Sequence, residues 1–228
     1  CHGYSGTPLV HVLRRVLPIA IAGALSAPAW AACDNNAPVS NQTVTCDATA
    51  PNPQTVGVVG AAGVDGVSVN VLAGSELAVS GSDSNIGASG NAWRVSNFGR
   101  ITGTGFNQGA AVRIAGTDNR LDNAGTIENL SQAVSLGDRA ELNNTGTLTG
   151  QSDGAVLGAG SRVINSGRIS ASLRNGLILG GAGEIHNEIG GRIEGGNNGA
   201  GIFSADALQL DNRGTIFGHD GAVVALLE

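Results

Sequence analysis

Short apolar segments recur along the chain from residue 95 onward, at a nearly constant spacing. Each copy has the form apolar–x–Asn–x–Gly–x–apolar, as in the segment from Leu142 to Leu148. Six copies are present, the fifth with two inserted residues, and their Asn residues stand 26, 21, 21, 22 and 25 positions apart. The paired residues are Asn97 and Gly99, Asn123 and Gly125, Asn144 and Gly146, Asn165 and Gly167, Asn187 and Gly191, and Asn212 and Gly214. This regularity indicates an internal structural repeat.

A second apolar segment follows the Gly of each copy by about ten residues, for example Ala155 to Leu157. Each period therefore holds two or three short strands, with Gly or Asn at the corners between them. Strands this short bury an apolar face only when successive copies stack on one another. The sequence thus predicts an all-β fold, a right-handed parallel β-helix (solenoid) with about 21–26 residues per coil.

Other repeat architectures fit this pattern less well. Helical arrays have longer repeats and need helix-forming residues, whereas this chain is rich in Gly and β-branched residues. Leucine-rich repeats need a denser set of Leu positions, and a propeller blade needs about forty residues. No Pro follows Pro53, which suits a chain whose backbone N–H groups must pair from coil to coil.

The repeated Asn and Gly residues predict tight corners. Gly adopts positive φ freely and Asn tolerates it, so we expect these residues to turn the chain between strands. Asn side chains stacked about 4.8 Å apart can also form an internal hydrogen-bonded ladder. Apolar motif positions should then stack in two inward columns. The first column is Ile101, Ile127, Leu148, Ile169, Ile193 and Ile216, and the second is Val95, Leu121, Leu142, Val163, Ile185 and Leu210.

The segment before the repeats predicts a degenerate first coil and a cap. Polar and apolar residues alternate from Gly66 to Val71, and a further apolar run follows from Glu76 to Ser80. Residues 32–65 are rich in Pro and should form the amino-terminal cap that a solenoid needs to block its open edge. The β-helix is then expected over 66–228, truncated at its carboxy-terminal end.

The amino-terminal segment has the pattern of an export signal. Arg14 and Arg15 precede an apolar run over 16–25, and Ala29 to Ala31 form an A-x-A cleavage site. The run is too short to span a membrane, which takes about twenty residues. We therefore expect a signal peptide over 1–31, cleaved after Ala31 or Ala32, with 1–9 as a possible non-native leader because the chain contains no Met.

Two cysteines, Cys33 and Cys46, remain after the predicted cleavage. An exported chain enters an oxidising compartment, where a nearby pair usually forms a disulfide. A metal site at this pair is the weaker interpretation, because neither a His nor a third Cys lies near either residue. We expect the disulfide to close the cap.

Together, the signal, the Cys33 and Cys46 pair and the Asn-x-Gly-x-Ile coils resemble the amino-terminal part of an autotransporter (type V secretion) passenger domain of Gram-negative bacteria. The resemblance covers the chain from residue 10. It implies a secreted or surface-displayed β-helix with an adhesive or structural function, and a host-surface protein or glycan as partner.

This family also implies a carboxy-terminal transmembrane barrel as the only contact with the outer membrane. The sequence has no series of alternating segments of about ten residues, which such a barrel requires. We therefore expect a fragment or a truncated reading frame. The chain should be exported through the inner membrane, associate with the cell surface or the extracellular space, and be monomeric.

Composition and charge narrow the function classes. The 12 basic residues are all Arg, against 18 acidic residues, and those beyond Arg15 are scattered singly. Such a distribution offers no basic patch for a phosphate backbone, so nucleic-acid binding is not expected. Gly accounts for 37 of 228 residues, but an apolar share of 41% argues against disorder.

No motif predicts catalysis, and we expect no enzyme activity, no cofactor and no metal. The Gly-rich segments lack dinucleotide spacing, and without Lys there is no Walker loop. His186 and His219 should lie in or near corners of different coils, without Cys neighbours. The alternative is a polysaccharide lyase or hydrolase, which needs clustered acids. Its candidate acids are Asp118, Asp122, Asp138, Glu141 and Asp153.

Overall fold

A computed structural model describes residues 33–81, 84–105 and 109–225. Within these ranges the chain forms strands, turns and bends, with no helix. The strands assemble into three parallel sheets that wind together as a β-solenoid of eight coils. This confirms the predicted all-β parallel solenoid. The predicted signal peptide over 1–31 lies outside the described residues.

Each coil from the second onward contributes one strand to each sheet. Coil 1 contains β1 (Thr43–Cys46) and β2 (Val58–Val59). The next three coils contain β3 (Ser68–Val71), β4 (Glu76–Val79) and β5 (Ile86–Ala88), then β6 (Arg94–Asn97), β7 (Arg100–Gly103) and β8 (Ala110–Ile114), then β9 (Arg120–Asn123), β10 (Thr126–Asn129) and β11 (Gln132–Leu136).

The remaining four coils repeat the same three-strand pattern. They contain β12 (Glu141–Asn144), β13 (Thr147–Gly150) and β14 (Ala155–Leu157), then β15 (Arg162–Asn165), β16 (Arg168–Ala171) and β17 (Leu177–Leu179), then β18 (Gly183–Asn187), β19 (Arg192–Glu194) and β20 (Ala200–Ser204), then β21 (Leu208–Asn212), β22 (Thr215–Phe217) and β23 (Gly221–Ala225). The first strands of all coils form sheet A, the second strands sheet B, and the last strands sheet C.

The strand register brings equivalent motif positions directly above one another. The six sheet B residues from Ile101 to Ile216 pair in one continuous column, and the six sheet A residues from Val95 to Leu210 pair in another. Members of both columns are buried up to coil 7. The two predicted inward columns are confirmed, since alternate strand residues face the interior and stack at the sheet spacing.

Aliphatic side chains fill the interior, with one large exception. Trp93 is fully buried near the amino-terminal end, and its indole Nε1 donates to the carbonyl of Val64 at 2.7 Å. Coil 8 is different, because no described residue stacks on its outer side. Leu210 and Val223 hold inward column positions there, yet they remain 38% and 39% exposed.

At the other end, the segment predicted as a cap also supplies the first coil. β1 pairs with β3 and β2 pairs with β5, so both strands belong to the sheets. Gln54 completes this coil through a parallel bridge to Leu77 in sheet B. Its buried side-chain amide accepts a hydrogen bond from the backbone of Cys33 and donates to Asn36 Oδ1, at 2.6 Å each. The residues before β1 are thereby held against the first coil.

Candidate functional site

An uninterrupted chain of Asn side chains runs through the interior at the corner between sheets A and B. Each Nδ2 donates to the Oδ1 of the Asn in the next coil, from Asn97 through Asn212, at 2.7 or 2.8 Å. The first five members are buried, at 0–2% exposure, and the last is exposed. All six sequence-predicted Asn residues are therefore brought together in one ladder.

The five buried ladder amides also bind backbone carbonyls at the corner. Asn144 Nδ2 lies 3.3 Å from the carbonyl of Gly146 and 3.1 Å from that of Arg168 in the following coil. Asn165 makes the equivalent contacts with Gly167 and Arg192. A buried carbonyl without a partner is costly, so these bonds explain why the corner requires an amide side chain.

The same column begins with a disulfide instead of an amide. Asn97 pairs in register with Val71, and Val71 pairs with Cys46. Cys46 is joined to Cys33 with a Cα–Cα distance of 3.8 Å, and both residues are buried. The two cysteines singled out from the sequence are thus bonded, and they close the amino-terminal end of the column that the Asn ladder continues.

The motif positions require Gly for a different reason from the one predicted. None of the six motif Gly or six ladder Asn residues, all in described parts of the chain, has positive φ. A Cβ added at Gly125, Gly146 or Gly167 would instead lie closer than 3.0 Å to the backbone of the previous coil. The prediction of a left-handed corner was wrong, because the close stacking of coils, and not the turn itself, excludes a side chain.

The outer face of sheet A carries ion pairs between neighbouring coils. Arg120 lies between Asp122 and Glu141, with its nitrogens 2.8 and 3.0 Å from their carboxylates. Asn143 also donates to Asp122 at 2.8 Å. Burial acts to raise the pKa of Asp122, but hydrogen bonds from Arg120 and Asn143 outweigh it and hold the pKa below its ordinary value.

Of the other candidate acids, Asp118 and Asp138 lie at the corner between sheets C and A in neighbouring coils, and Asp153 lies at the corner between sheets B and C. Asp118 is paired with Arg139 at 2.7 Å, and this guanidinium, aided by Thr117, lowers the pKa of Asp118. Asp138 accepts a hydrogen bond from the backbone of Ala159. Asp153 is buried and accepts hydrogen bonds from Ser152 and Asn175. Two pairs of these acids are therefore close together, Asp122 with Glu141 and Asp118 with Asp138, and an Arg side chain lies beside each pair on the open surface.

His186 lies within β18, one residue before the corner residue Asn187. Its Nε2 is 2.5 Å from Glu184, and Asp211 is 3.9 Å from its Nδ1. His219 lies in the turn between β22 and β23, where it contacts Asp220 at 3.5 Å. Among the residues that the structure describes, no three His, Cys, Asp or Glu side chains are grouped so that they could hold a metal ion.

The outer face of sheet B has two groups of charges. Near the amino-terminal end, Arg100 lies between Glu76 and Glu128, at 3.4 and 2.6 Å. Near the other end, Arg168 and Arg192 of consecutive coils both bind Glu194. Gln54, the buried end-coil amide, and the Arg168–Arg192–Glu194 group were not singled out from the sequence. Gln54 lies before the repeats, and the two Arg residues occupy a variable position of the motif.

Comparisons with known proteins assign the chain to no family. No family model, no curated protein and no solved structure matches it. Across 33–81, 84–105 and 109–225, no helix is long and apolar enough to cross a membrane.

Proposed function

We propose that this chain is a secreted or surface-displayed β-helical passenger segment of an autotransporter-like protein, and that it acts in adhesion. One observation carries the proposal. Eight stacked coils align outward-facing side chains in straight rows along three sheets, over roughly 35 Å at the usual strand spacing. A rigid surface of this kind can contact an extended partner at several coils at once.

The ionisation of the outward-facing acidic side chains favours binding of a glycan over its cleavage. Glycoside hydrolysis needs two carboxyl groups facing one bond, with the acid member protonated. Asp122 and Glu141 instead share Arg120, and the pKa of Asp122 is lowered, so this carboxylate stays charged. The pair therefore suits a role in stabilising neighbouring coils.

The buried Cys33–Cys46 disulfide supports export. Such bonds persist outside the cytoplasm, where thiols are not kept reduced. Localisation beyond the inner membrane, through cleavage of the signal peptide after Ala31 or Ala32, is part of this proposal. Mass spectrometry of the protein recovered from the periplasm or medium of a Gram-negative host should give a chain starting at Ala32 or Cys33.

Adhesion can be tested on the full chain fused at its carboxyl end to an outer-membrane carrier barrel. Bacteria that display the fusion should be retained on immobilised host glycans or matrix proteins in larger numbers than bacteria with the carrier alone. Equal retention, with display verified by surface labelling, contradicts the adhesive function. Release of shortened glycan from the surface would favour the lyase or hydrolase alternative.

A further inference from the structure

A groove of about 680 Å³ runs along the outer face of sheet B near the carboxy-terminal end. It lies between the sheet and the corner segments that follow β16 and β19. The residues that the argument uses are Arg168, Ser172, Arg192, Asn197, Phe217 and His219, all of which line the groove. The floor and rim therefore combine cations, an aromatic ring and neutral hydrogen-bonding groups.

The charges in this groove leave a cationic surplus. Arg168 donates through Nε at 2.9 Å to one oxygen of Glu194, and its Nη2 forms an ion pair with the same oxygen at 2.7 Å. Arg192 donates through Nε and Nη2 to the other oxygen. Burial acts to raise the pKa of Glu194, but hydrogen bonds from Arg192 and Arg168 lower it below its ordinary value, so the carboxylate stays charged. Two guanidinium groups thus share one carboxylate.

The guanidinium groups also retain free donors. No hydrogen bond joins the Nη1 atom of Arg168 or Arg192 to another described residue, and the two side chains are 55% and 59% exposed. Glu194 holds both groups in fixed positions, one coil apart. A second carboxylate can therefore bind without the entropy cost of ordering either side chain from a free state.

Phe217 supplies an apolar platform beside these donors. It pairs in register with Glu194 and lies one coil beyond it, in the outward row, with 59% of its surface exposed. Nothing in the described structure covers its ring. An exposed aromatic face next to a pair of cations suits a ligand that has both an apolar ring face and an anionic group.

We propose that this groove binds an acidic oligosaccharide with one carboxylate per sugar ring. The carboxylate pairs with the free Nη1 donors of Arg168 and Arg192, and the C–H face of the ring packs on Phe217. Ser172, Asn197 and His219 at the rim offer hydrogen bonds to sugar hydroxyls. The proposal rests on the adhesive function and assigns it a ligand class and a site.

An oligosaccharide fits this groove better than an acidic peptide does. The groove offers a single phenyl ring, that of Phe217, and its other lining residues are small, polar or charged. An added strand cannot pair with β16 or β19, because both already pair on two sides, and of the groove strands only β22 has a described neighbour on one side alone. Sugar rings carry many hydroxyls, which match the polar rim.

The test is isothermal titration calorimetry of the full chain with a hexamer of galacturonate, with neutral cellohexaose as the control ligand. We expect saturable binding of the acidic hexamer alone. Arg192→Gln and Phe217→Ala should each weaken the affinity by about tenfold or more, because each removes one of the two kinds of contact. Arg168→Gln serves as a second variant if Arg192→Gln does not fold.

Arg100→Gln is the matched control. Arg100 occupies the same outward row of sheet B and is also paired with carboxylates, but it has two of them. The outward row beside it carries Thr102 and Glu128, where the groove has Glu194 and Phe217. This variant should bind the hexamer as the wild type does. Thermal unfolding of every variant verifies folding, and a sulfated hexamer distinguishes carboxylate recognition from general anion binding.

Three results would overturn the assignment. The first is an absence of hexamer binding by the folded wild type. If the displayed chain still adheres in that case, the oligosaccharide site is wrong while the adhesive function stands. The second is an equal loss in Arg100→Gln and Arg192→Gln, which indicates diffuse charge attraction. The third is equally tight binding of hexaglutamate with no effect of Phe217→Ala, which indicates an acidic peptide. Hexamer binding without adhesion counts against the adhesive function alone.

Discussion

Asn144 occupies the centre of the ladder, where its amide group has an Asn partner in the coil on either side. Replacing it with Ala leaves Asn165 Oδ1 and the corner carbonyls without this donor in a buried site. We expect Asn144→Ala to lower the free energy of unfolding by about 1–3 kcal/mol for each group stranded. Asn212→Ala should cost less, because water reaches that exposed end. Denaturant titration measures both.

Asn70 offers the matched control for the ladder. It lies in β3, faces outward, and makes no side-chain hydrogen bond to a described residue. Asn70→Ala should change the stability by no more than about 0.5 kcal/mol. If Asn144→Ala is tolerated as well as Asn70→Ala, the ladder contributes little and the Asn residues serve only the corner geometry.

Gly146 illustrates why a side chain is excluded at the stacked corners. An added Cβ would lie closer than 3.0 Å to the carbonyl oxygen of Gly125 in the previous coil. Gly146→Ala should therefore destabilise the protein by about 1–3 kcal/mol, as overpacking does. Gly180→Ala is the control, since its Cβ would meet Leu157 at 3.5 Å, an ordinary contact, and its φ is not positive. Equal thermal shifts in both variants would contradict the stacking explanation.

At the scale of elements, the pairing of β9 with β12 places Arg120 beside two acids. The pKa of Asp122 is lowered in the folded state, so its contribution to stability is fully present above the ordinary Asp pKa. This contribution is lost as the pH falls through the lowered value. Arg120→Gln should raise the pKa of Asp122, because fewer hydrogen bonds then remain to offset the effect of burial. NMR titration of the Asp122 carboxyl measures the shift.

Arg94 provides the comparison for this pH effect. It lies one coil before Arg120 in the same outward row, and it lowers the pKa of Asp122 through charge alone. Arg94→Gln should give a smaller shift in the same direction. Shifts of equal size would show that charge, and not hydrogen bonding, controls the ionisation of Asp122.

The disulfide cross-links the first strand to the residues before it. Cys33 and Cys46 are separated by 13 positions. Closing a loop of this length contributes about 3 kcal/mol in the chain-entropy description. We expect Cys33→Ala with Cys46→Ala to lower stability by about 2–4 kcal/mol, measured by denaturant unfolding. Free thiols titrating in the oxidised exported protein would contradict the bond.

At the scale of the whole molecule, stability should vary along the solenoid, since each coil contacts only its neighbours. Coil 5 has a coil on both sides, whereas coil 8 has a described neighbour on one side only. Amide hydrogens of β21 and β23 should therefore exchange with deuterium faster than those of β12 and β14. Mass spectrometry of peptides from each coil measures this gradient, and uniform protection would indicate a single cooperative unit.

The amino-acid pattern was sufficient to predict the solenoid, its coil length, the inward columns and the cysteine pair. These features follow from local pattern, because alternation selects the buried face of each strand and the motif repeats once per coil. A repeat fold converts spacing along the chain into stacking in space. Residues at equal motif positions, such as Asn123 and Asn144, must therefore meet.

How closely the coils pack on one another became visible only in the folded chain. The motif could not show that Gly125 and Gly146 are required by close backbone stacking and not by positive φ, since either cause selects Gly. It also could not show that Arg168 and Arg192 share Glu194 beside Phe217. Outward residues are free to vary between coils, so their juxtaposition depends on the register across strands that lie more than twenty positions apart.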